Sequence, residues 1–258
     1  RAHLTKLIYE VFTDKRPAVN VVIVGMQGSG KSSYAYYALK TAYLMKKARS
    51  YILRSGSVLS GIEAYVRDHG IELCMHRQCD SPDAIDNELK DFVYVGYDDY
   101  ERLRDLILRI TGGDSMEVPA LFLDDLLLKD SYFLGGLHRN VYVAFKKLYA
   151  LHRSVADIMI MTAPSIHYLS KEFKTAAMRI ESHRKFDAVE FTHYYLKTIP
   201  MIRYVYGKRL EWRRRVLDVA WVDRTPTKSK YGMPMWLEGM INERKRQVLR
   251  DAFSKINA

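Results

Sequence analysis

The sequence predicts an α/β protein built on a parallel, doubly wound sheet. The first observation is Ala18–Val24, AVNVVIV, a continuously apolar and β-branched segment of the kind that forms a strand buried on both faces. The second is that a glycine-rich turn and then a helical stretch follow this segment directly. The third is that the β-then-α order recurs through residues 18–181, and repeated β–α units form parallel sheets.

Two β–α units occupy the first half of this region. Tyr34–Lys47 is rich in Ala, Leu and Met and is predicted to be helical. Residues 55–88 mix helical pieces with a polar stretch, and we interpret them as an insertion. Phe92–Tyr97, FVYVGY, is the second predicted strand, and the helix after it is expected to end at the glycine pair 112–113.

The second half of the region adds two more strands. Ala120–Leu123 is the third predicted strand, Asn140–His152 is predicted to be helical, and Asp157–Met161, DIMIM, is the fourth strand. We therefore divide this part of the chain into an N-terminal segment at residues 1–17 and an α/β core at residues 18–181.

The pattern changes after the core, and residues 182–258 are predicted to form a small, basic extension of strands and one helix. The predicted elements are strands at Ala188–Tyr195 and Met201–Tyr206, a hairpin turn at Gly207-Lys208, a loop at Arg224–Pro234 and an amphipathic helix at Trp236–Ile256.

Most of the net charge of +11 lies in the last third of the 258-residue chain: residues 179–258 carry 18 Lys and Arg against 9 Asp and Glu. Such a region indicates a polyanionic partner, and nucleic acid fits better than a membrane surface.

The apolar runs are only strand-length, and the N-terminus lacks the apolar segment of a signal peptide, so no membrane partner is expected. Two cysteines do not suggest a disulfide scaffold, and we expect a cytoplasmic protein.

Gly25–Ser32, GMQGSGKS, fits the P-loop pattern G-x-x-x-x-G-K-[ST] completely, after a buried strand and before a helix. Glycines let backbone N–H groups surround a phosphate chain, and the helix N-terminus adds positive potential. Lys31 is expected to reach the β- and γ-phosphates and Ser32 to ligate Mg²⁺, so ATP and Mg²⁺ are the predicted cofactors. The predicted nucleotide-binding residues are Gly25, Gln27, Gly28, Ser29, Gly30, Lys31, Ser32 and Ser33.

Two adjacent carboxylates follow the third predicted strand, in PALFLDDLLLKD. Open α/β sheets bind ligands at the carboxyl ends of their strands, so Asp124 is the expected metal-side carboxylate, acting directly or through water. Asp125 is placed to polarise an attacking water. The fourth strand ends at Thr162, whose hydroxyl is expected to contact the γ-phosphate or to position that water.

Residues 18–181 resemble the ATPase core of AAA+ proteins, especially the DnaA-type initiators and the DnaC/IstB-type helicase loaders. GMQGSGKSS corresponds to the Walker A motif, ALFLDDL to the Asp-Asp form of Walker B, and AFKKLYALHRSVADIMIMTAPS to the helix–strand unit that ends in sensor 1. The resemblance implies that Asp124 holds Mg²⁺, that Asp125 stands at the catalytic-acid position and that Thr162 is sensor 1.

By the same resemblance, Arg179 lies near the position of the arginine finger that reaches into a neighbour's site, with Arg184 and Arg153 as competing candidates. A finger implies a homo-oligomer that forms with ATP. Two features depart from the family: the long gap between Lys31 and Asp124, and strands where AAA+ lids are helical. No sensor 2 arginine is therefore assigned, and the FtsK/HerA-like DNA pumps stay an alternative. DnaA-like ATPases also occur on viruses and plasmids, which would suit a divergent copy.

Basic residues alternate with the aromatic Tyr204, Tyr206 and Trp212 in the C-terminal region. Basic side chains follow phosphates and aromatic rings stack on bases, so this pattern predicts a hairpin that contacts DNA. The candidate DNA-contact residues are Arg203, Arg209, Arg213, Arg214, Arg215, Lys245 and Arg246.

Cys74, His76 and Cys79 form a weak candidate for zinc, with His69 nearby. Their spacing matches no common zinc framework and the sequence has no second cysteine pair, so we interpret the segment as a helix–loop region with ordinary cysteines.

The leading functional hypothesis is an ATP-hydrolysing, oligomeric AAA+-like protein that acts on DNA as an initiator, loader or remodeller, with a helicase or replication factor as a protein partner. A small-molecule or nucleoside kinase is an alternative, because kinases share the P-loop and a strand-end aspartate. A nucleotide-gated DNA-binding protein that hydrolyses poorly is a third, because Asp125 is one methylene shorter than glutamate. A GTPase is disfavoured, because the sequence has no N-K-x-D motif.

Overall fold

The computed structural model of the chain describes residues 2–13, 15, 18–73, 81–95, 100–112, 118–124, 147, 156–169, 178–185, 188–226 and 233–254. Within these residues the chain forms one seven-stranded sheet with helices packed against it.

The helices are α1 (Ala2–Phe12), α2 (Lys31–Lys47), α3 (Arg49–Ser55), α4 (Val58–Asp68), α5 (Ala84–Leu89), α6 (Tyr100–Thr111) and α7 (Met235–Ser254). The strands are β1 (Val19–Gly25), β2 (Val93–Val95), β3 (Ala120–Asp124), β4 (Ile158–Ala163), β5 (Met178–Arg184), β6 (Ala188–Val205) and β7 (Lys208–Pro226). Short 3-10 turns lie at Lys90–Phe92 and Ile166–Tyr168.

The strands lie in the order β2-β3-β4-β1-β5-β6-β7. The first five run parallel, whereas β6 and β7 are added antiparallel beyond β5. The central strand β1 pairs with β4 on one side and β5 on the other, so that Ile23 lies level with both Thr162 and Ile180. The carboxyl ends of the five parallel strands therefore meet at one edge of the sheet, where open α/β sheets bind ligands.

The core forms where the most apolar strands meet helix α2. Strands β3 and β4 are buried at every residue, and β1 is buried up to its last residue, as expected of central parallel strands. Helix α2 is buried around most of its circumference and contacts β1, β3 and β4 as well as helix α1. This packing holds the start of α2 over the carboxyl edge of the sheet.

The structure confirms a mixed α/β architecture with a mostly parallel sheet. Strands β1 to β4 lie where the four strands were predicted, with ends that differ by one or two residues. Residues 55–88 contain helix α4 and all but the last residue of helix α5, with residues 74–80 outside the described part. The helix predicted at residues 140–152 also lies outside it, except for Lys147, which is helical.

The C-terminal strands differ from their prediction in three ways. The two predicted strands form one continuous strand, β6, which passes through Pro200. Beyond Tyr195, β6 pairs only with β7, so a residue without an N–H is tolerated there. The hairpin turn lies one residue earlier than predicted, at Tyr206-Gly207, whose positive φ angles of 49° and 74° are typical of a type I′ turn. Strand β7 also extends to Pro226, into the predicted loop.

The predicted boundary between residues 181 and 182 falls within β5, and the strands on both sides of it belong to one sheet. The division into a core and a separate C-terminal extension stays a prediction. Among the described residues, no helix is both long and apolar enough to cross a membrane.

Candidate nucleotide site

The glycine-rich loop connects the end of β1 at Gly25 to the start of α2 at Lys31. Within it, Gly28 and Gly30 have left-handed φ angles of 74° and 77°, which residues with a Cβ rarely adopt. The loop therefore needs glycine at these two positions to turn its backbone.

The glycine-rich loop is anchored to β5. The Ser29 residue is buried, and its carbonyl oxygen accepts a hydrogen bond from the hydroxyl of Ser182 in β5. Met26 and Gln27, by contrast, are exposed. The loop thus continues from β1 and is held to the neighbouring strand β5 by this bond.

Lys31 supplies positive charge inside the loop. Its side chain is buried and its Nζ donates a hydrogen bond of 3.0 Å to the carbonyl oxygen of Met26, so the ammonium folds back over the loop. The first turn of α2 contains no acidic residue that would offset the positive end of the helix dipole. Loop, lysine and helix N-terminus together form the kind of surface that binds phosphate.

Asp124 joins three elements at the carboxyl edge. It is completely buried at the end of β3, and its Oδ1 accepts hydrogen bonds from Ser32 Oγ at 2.7 Å and from Thr162 Oγ1 at 2.6 Å. Ser32 comes from α2 and Thr162 from β4, which lies between β1 and β3. The structure thus brings together three residues that the sequence predicted separately.

The second carboxylate oxygen of Asp124 is in a different situation. Oδ2 is buried and accepts no hydrogen bond within the described part of the chain. The Lys245 ammonium of α7 nevertheless lies 3.3 Å from it. The two findings agree if the ammonium forms an ion pair whose angles do not meet those of a hydrogen bond.

The residues at this edge fit a magnesium ion. Mg²⁺ prefers hard oxygen ligands and keeps several waters, so P-loop sites use few protein ligands and complete the shell with phosphate oxygens. The Ser32 hydroxyl and the Asp124 carboxylate meet that requirement, because one carboxylate oxygen accepts no hydrogen bond from the described residues. Among the described residues, no cluster of three or more His, Cys, Asp or Glu side chains could hold a metal ion by itself.

Arg179, the predicted arginine finger, is engaged within its own chain. Its guanidinium forms an ion pair with Glu181 and lies 6.0 Å from the centre of the Tyr194 ring. Burial and the neighbouring Glu181 carboxylate raise the pKa of Tyr194. An arginine finger at this position would have to leave these contacts to reach a neighbouring subunit.

Arg184 lies next to the glycine-rich loop. It is the last residue of β5, and its Nη1 stands 3.7 Å from the point that a Cβ on Gly28 would occupy. The side chain is exposed. Its guanidinium is therefore close to the phosphate-binding loop of its own chain.

The candidate DNA-contact residues fall in two places. Five lie on a two-stranded ribbon, residues 196–217, in which β6 and β7 pair with each other beyond the end of β5. At its tip Tyr206 is fully exposed and Tyr204 is 70 % exposed, with Arg209 exposed beside them. Backbone positions, but not side chains, are described for Arg203, Arg213, Arg214 and Arg215. The other two candidates, Lys245 and Arg246, lie on α7.

Several predicted residues fall outside the described part of the chain. These are Asp125, the competing finger candidate Arg153, and Cys74, His76 and Cys79 of the zinc candidate. Ser33, in the first turn of α2, is described and partly buried.

A second buried charge cluster joins α2 to α5. Lys40 donates to Asp83 Oδ2 at 2.7 Å and to Asp86 Oδ1 at 2.6 Å, and the Tyr36 hydroxyl also donates to Asp86. Asp83 and Asp86 form the capping box at the start of α5 as well. Burial, followed by the charge of Asp86, raises the pKa of Tyr36 far above its usual value of 10.0.

Sequence reasoning missed two of these arrangements. A lysine within the apolar AYYALKTAYLM of α2 signals a buried charge that needs an acidic partner, and this could have pointed to Lys40. Lys245 stands four residues after the buried Ile241, so the helical period places it on the inward face of α7. Charge alone predicts a DNA contact for this lysine instead.

Comparisons with known proteins identify no family. No protein-family model matches the chain, and no curated protein matches it. Among solved structures, the flagellar accessory protein FlaH from Methanocaldococcus jannaschii is similar with 14% sequence identity and a TM-score of 0.30, over 81% of this chain and 95% of that chain. A likeness at this TM-score is too weak to support a fold or a function.

Proposed function

We propose that this chain binds ATP with Mg²⁺ and hydrolyses it to ADP and phosphate. The observation that carries the proposal is the cluster of Ser32, Asp124 and Thr162 at the end of a glycine-rich loop. A buried carboxylate that accepts two hydroxyl hydrogen bonds, beside a loop with an inward lysine, is suited to hold a metal–triphosphate.

Each residue has a distinct part in the proposed reaction. The loop N–H groups and Lys31 bind the phosphate chain, and Ser32 with Asp124 would hold the metal, which neutralises phosphate charge when bound. Thr162 fixes the orientation of Asp124 through its hydrogen bond. Asp125 is the proposed residue that accepts a proton from the attacking water. The water oxygen bonds to the γ-phosphorus as the bond to the β–γ bridging oxygen breaks, and ADP leaves.

The test of this proposal is ATP binding and phosphate release by wild type and Lys31→Ala. Wild type should bind ATP at micromolar concentration and release phosphate, and Lys31→Ala should lose most of both, because the buried ammonium is removed from the phosphate chain. Accumulation of a phosphorylated small molecule in place of free phosphate would instead indicate a kinase. Absence of nucleotide binding by the folded wild type would refute the proposal.

We further propose that the ATPase acts on DNA through the ribbon of residues 196–217. The ribbon has ten residue pairs beyond β5, so it projects about 30 Å from the sheet. A two-stranded ribbon fits the major groove of DNA. The exposed Tyr204, Tyr206 and Arg209 at its tip add the aromatic and basic chemistry that nucleic acids bind. Replication initiation, helicase loading and DNA remodelling are compatible roles, and FtsK/HerA-like translocation is the alternative.

DNA binding by the ribbon can be measured through its salt dependence. Replacing Arg213, Arg214 and Arg215 together by Ser should weaken binding and lower the slope of log affinity against log salt by about 0.9 for each lost phosphate contact. Glu63→Gln, on the exposed face of α4, serves as a folding control that leaves the ribbon intact. An unchanged slope in the triple variant would contradict the ribbon's role.

Oligomer formation with ATP is part of the same proposal, with Arg179 as the proposed finger. Mass measurement of wild type and Arg179→Ala, with ATP and Mg²⁺, tests it. An ATP-dependent oligomer that does not respond to Arg179→Ala would remove this assignment and leave Arg184, next to the loop, as the arginine to examine.

A further inference from the structure

Helix α7 brings a lysine into the candidate nucleotide site. Leu237, Ile241 and Lys245 are spaced four residues apart and therefore share one face of the helix. Leu237 and Ile241 are buried in the core of the protein, which fixes how this face is turned. Lys245, at the next turn, reaches the carboxyl edge of the sheet, where its Nζ lies 3.3 Å from Asp124 Oδ2.

The two oxygens of Asp124 are used differently. Oδ1 accepts hydrogen bonds from the hydroxyls of Ser32 and Thr162, whereas Oδ2 accepts no hydrogen bond within the described residues. A fully buried carboxylate needs a compensating positive charge. The ammonium of Lys245 supplies this charge at Oδ2.

We propose that Lys245 and the divalent metal compete for Asp124, so that metal loading releases α7 from the carboxyl edge. The proposal rests on the proposed ATP site. A metal held by Ser32 and Asp124 would stand beside the oxygen that the ammonium now contacts, and two cations this close repel each other strongly in a buried site. The flexible stem of lysine lets its strongly hydrated ammonium move out to water.

The competition links two parts of the chain in both directions. By thermodynamic linkage, if metal binding weakens the docking of α7, then any partner that holds α7 away from the edge strengthens metal binding by the same factor. Helix α7 follows the ribbon strand β7 in the chain. Lys245 therefore couples metal loading to the C-terminal region, where DNA contact is proposed.

Mn²⁺ binding to the nucleotide-free protein, followed by electron paramagnetic resonance, tests the competition. Lys245→Met keeps the length of the side chain and removes its charge, so Mn²⁺ should bind about fivefold more tightly or better. Arg250→Met is the matched control: it makes the same charge change on the same helix, at a residue that is 74 % exposed and pairs with Glu243. That variant should bind Mn²⁺ as wild type does, and Lys245→Arg should retain the competition.

Hydrogen exchange gives a second readout. In wild type, Mg²⁺ with ADP should speed the exchange of α7 amides, whereas in Lys245→Met exchange should be fast from the start and should not respond to the metal. Should Lys245→Met not fold, Lys245→Gln replaces it.

Unchanged or weaker Mn²⁺ binding in the folded variant would overturn the competition. So would Mn²⁺ binding that is undetectable in wild type and all variants. ATP binding measured without metal reports separately on the proposed function. If ATP does not bind while Mn²⁺ binding responds to Lys245→Met, the ATP proposal fails and the competition stands.

Discussion

Within the described part of the chain, two buried aspartates each face a lysine, and the two pairs are built differently. Between α2 and α5, Lys40 lies 2.6 Å from Asp86, and both side chains are almost completely buried. At the carboxyl edge of the sheet, Lys245 lies 3.3 Å from Asp124, and the lysine side chain is 36 % exposed. The first pair is closed to solvent, whereas the second has one partner that can return to water.

The difference shows what each pair is suited for. Lys40 bridges two aspartates that also cap α5, so all members of that cluster hold each other in place. One oxygen of Asp124 accepts no hydrogen bond from the residues that the structure describes, and Asp124 receives its counter-charge from the distant helix α7. The first arrangement stabilises one packing of α2 on α5, and the second leaves a place that another cation can take.

The largest effect is expected for Lys40→Met. It leaves the carboxylates of Asp83 and Asp86 buried without their counter-charge, and breaking a buried ion pair in this way costs about 3–5 kcal/mol of unfolding free energy. Urea unfolding measures the loss. The control is Lys47→Met, which removes a half-exposed lysine that lies 3.6 Å from Glu88, and we expect a change below about 1 kcal/mol. Equal losses of unfolding free energy in Lys40→Met and Lys47→Met would show that burial does not make the Lys40 cluster more important for stability than an exposed ion pair.

Asp124→Asn is expected to affect function more than stability. The amide keeps the shape of the side chain and removes the charge that would hold the metal, so phosphate release should fall about 100-fold or more. Phosphate release at saturating ATP measures this, and circular dichroism checks the fold. The variant should also lose the response of Mn²⁺ binding to Lys245→Met. Full ATPase activity in Asp124→Asn would show that the Lys245–Asp124 pair is structural, like the Lys40–Asp86 pair.

The smallest effect concerns alkaline pH. Burial and Asp86 raise the pKa of Tyr36, so above its unfolded pKa of 10.0 the unfolded chain loses this proton while the folded chain retains it. Stability from this group is complete below pH 10.0 and declines above it, by up to about 1.4 kcal/mol per pH unit. Unfolding free energies measured between about pH 9 and about pH 11 should fall less steeply in Tyr36→Phe. Tyr206→Phe, at a fully exposed position, should keep the wild-type slope.

The local parts of the site could be predicted from the sequence because each depends on residues that are close in the chain. The glycine spacing determines the loop, and the apolar run before Asp124 determines that a strand ends there. The parallel sheet then places Thr162 beside Asp124, because strands that run parallel end at the same edge.

The rest depends on how distant segments pack. Lys245 is far from Asp124 in the sequence, and their contact requires α7 to dock through Leu237 and Ile241. Basic composition alone assigned this lysine to DNA. The sequence predicts two strands that leave Pro200 between them, but a strand position that pairs only with β7 tolerates proline, and this pairing is known only once the sheet is assembled.

The irregularity in the β6–β7 pairing has a mechanical consequence. His193 pairs with Trp221 and Tyr194 with Val219, so β7 has one extra residue, Ala220, close to the point where β6 leaves the sheet. A bulge bends a ribbon locally, and here it lies at the base of the ribbon of residues 196–217, which is about 30 Å long. A rotation of about 10° at this pivot would move the tip by about 5 Å, which is roughly one base-pair step or more of the DNA that is proposed to bind there. The residues of this bulge therefore set the direction of the ribbon. They also set how far its tip moves when the sheet moves slightly.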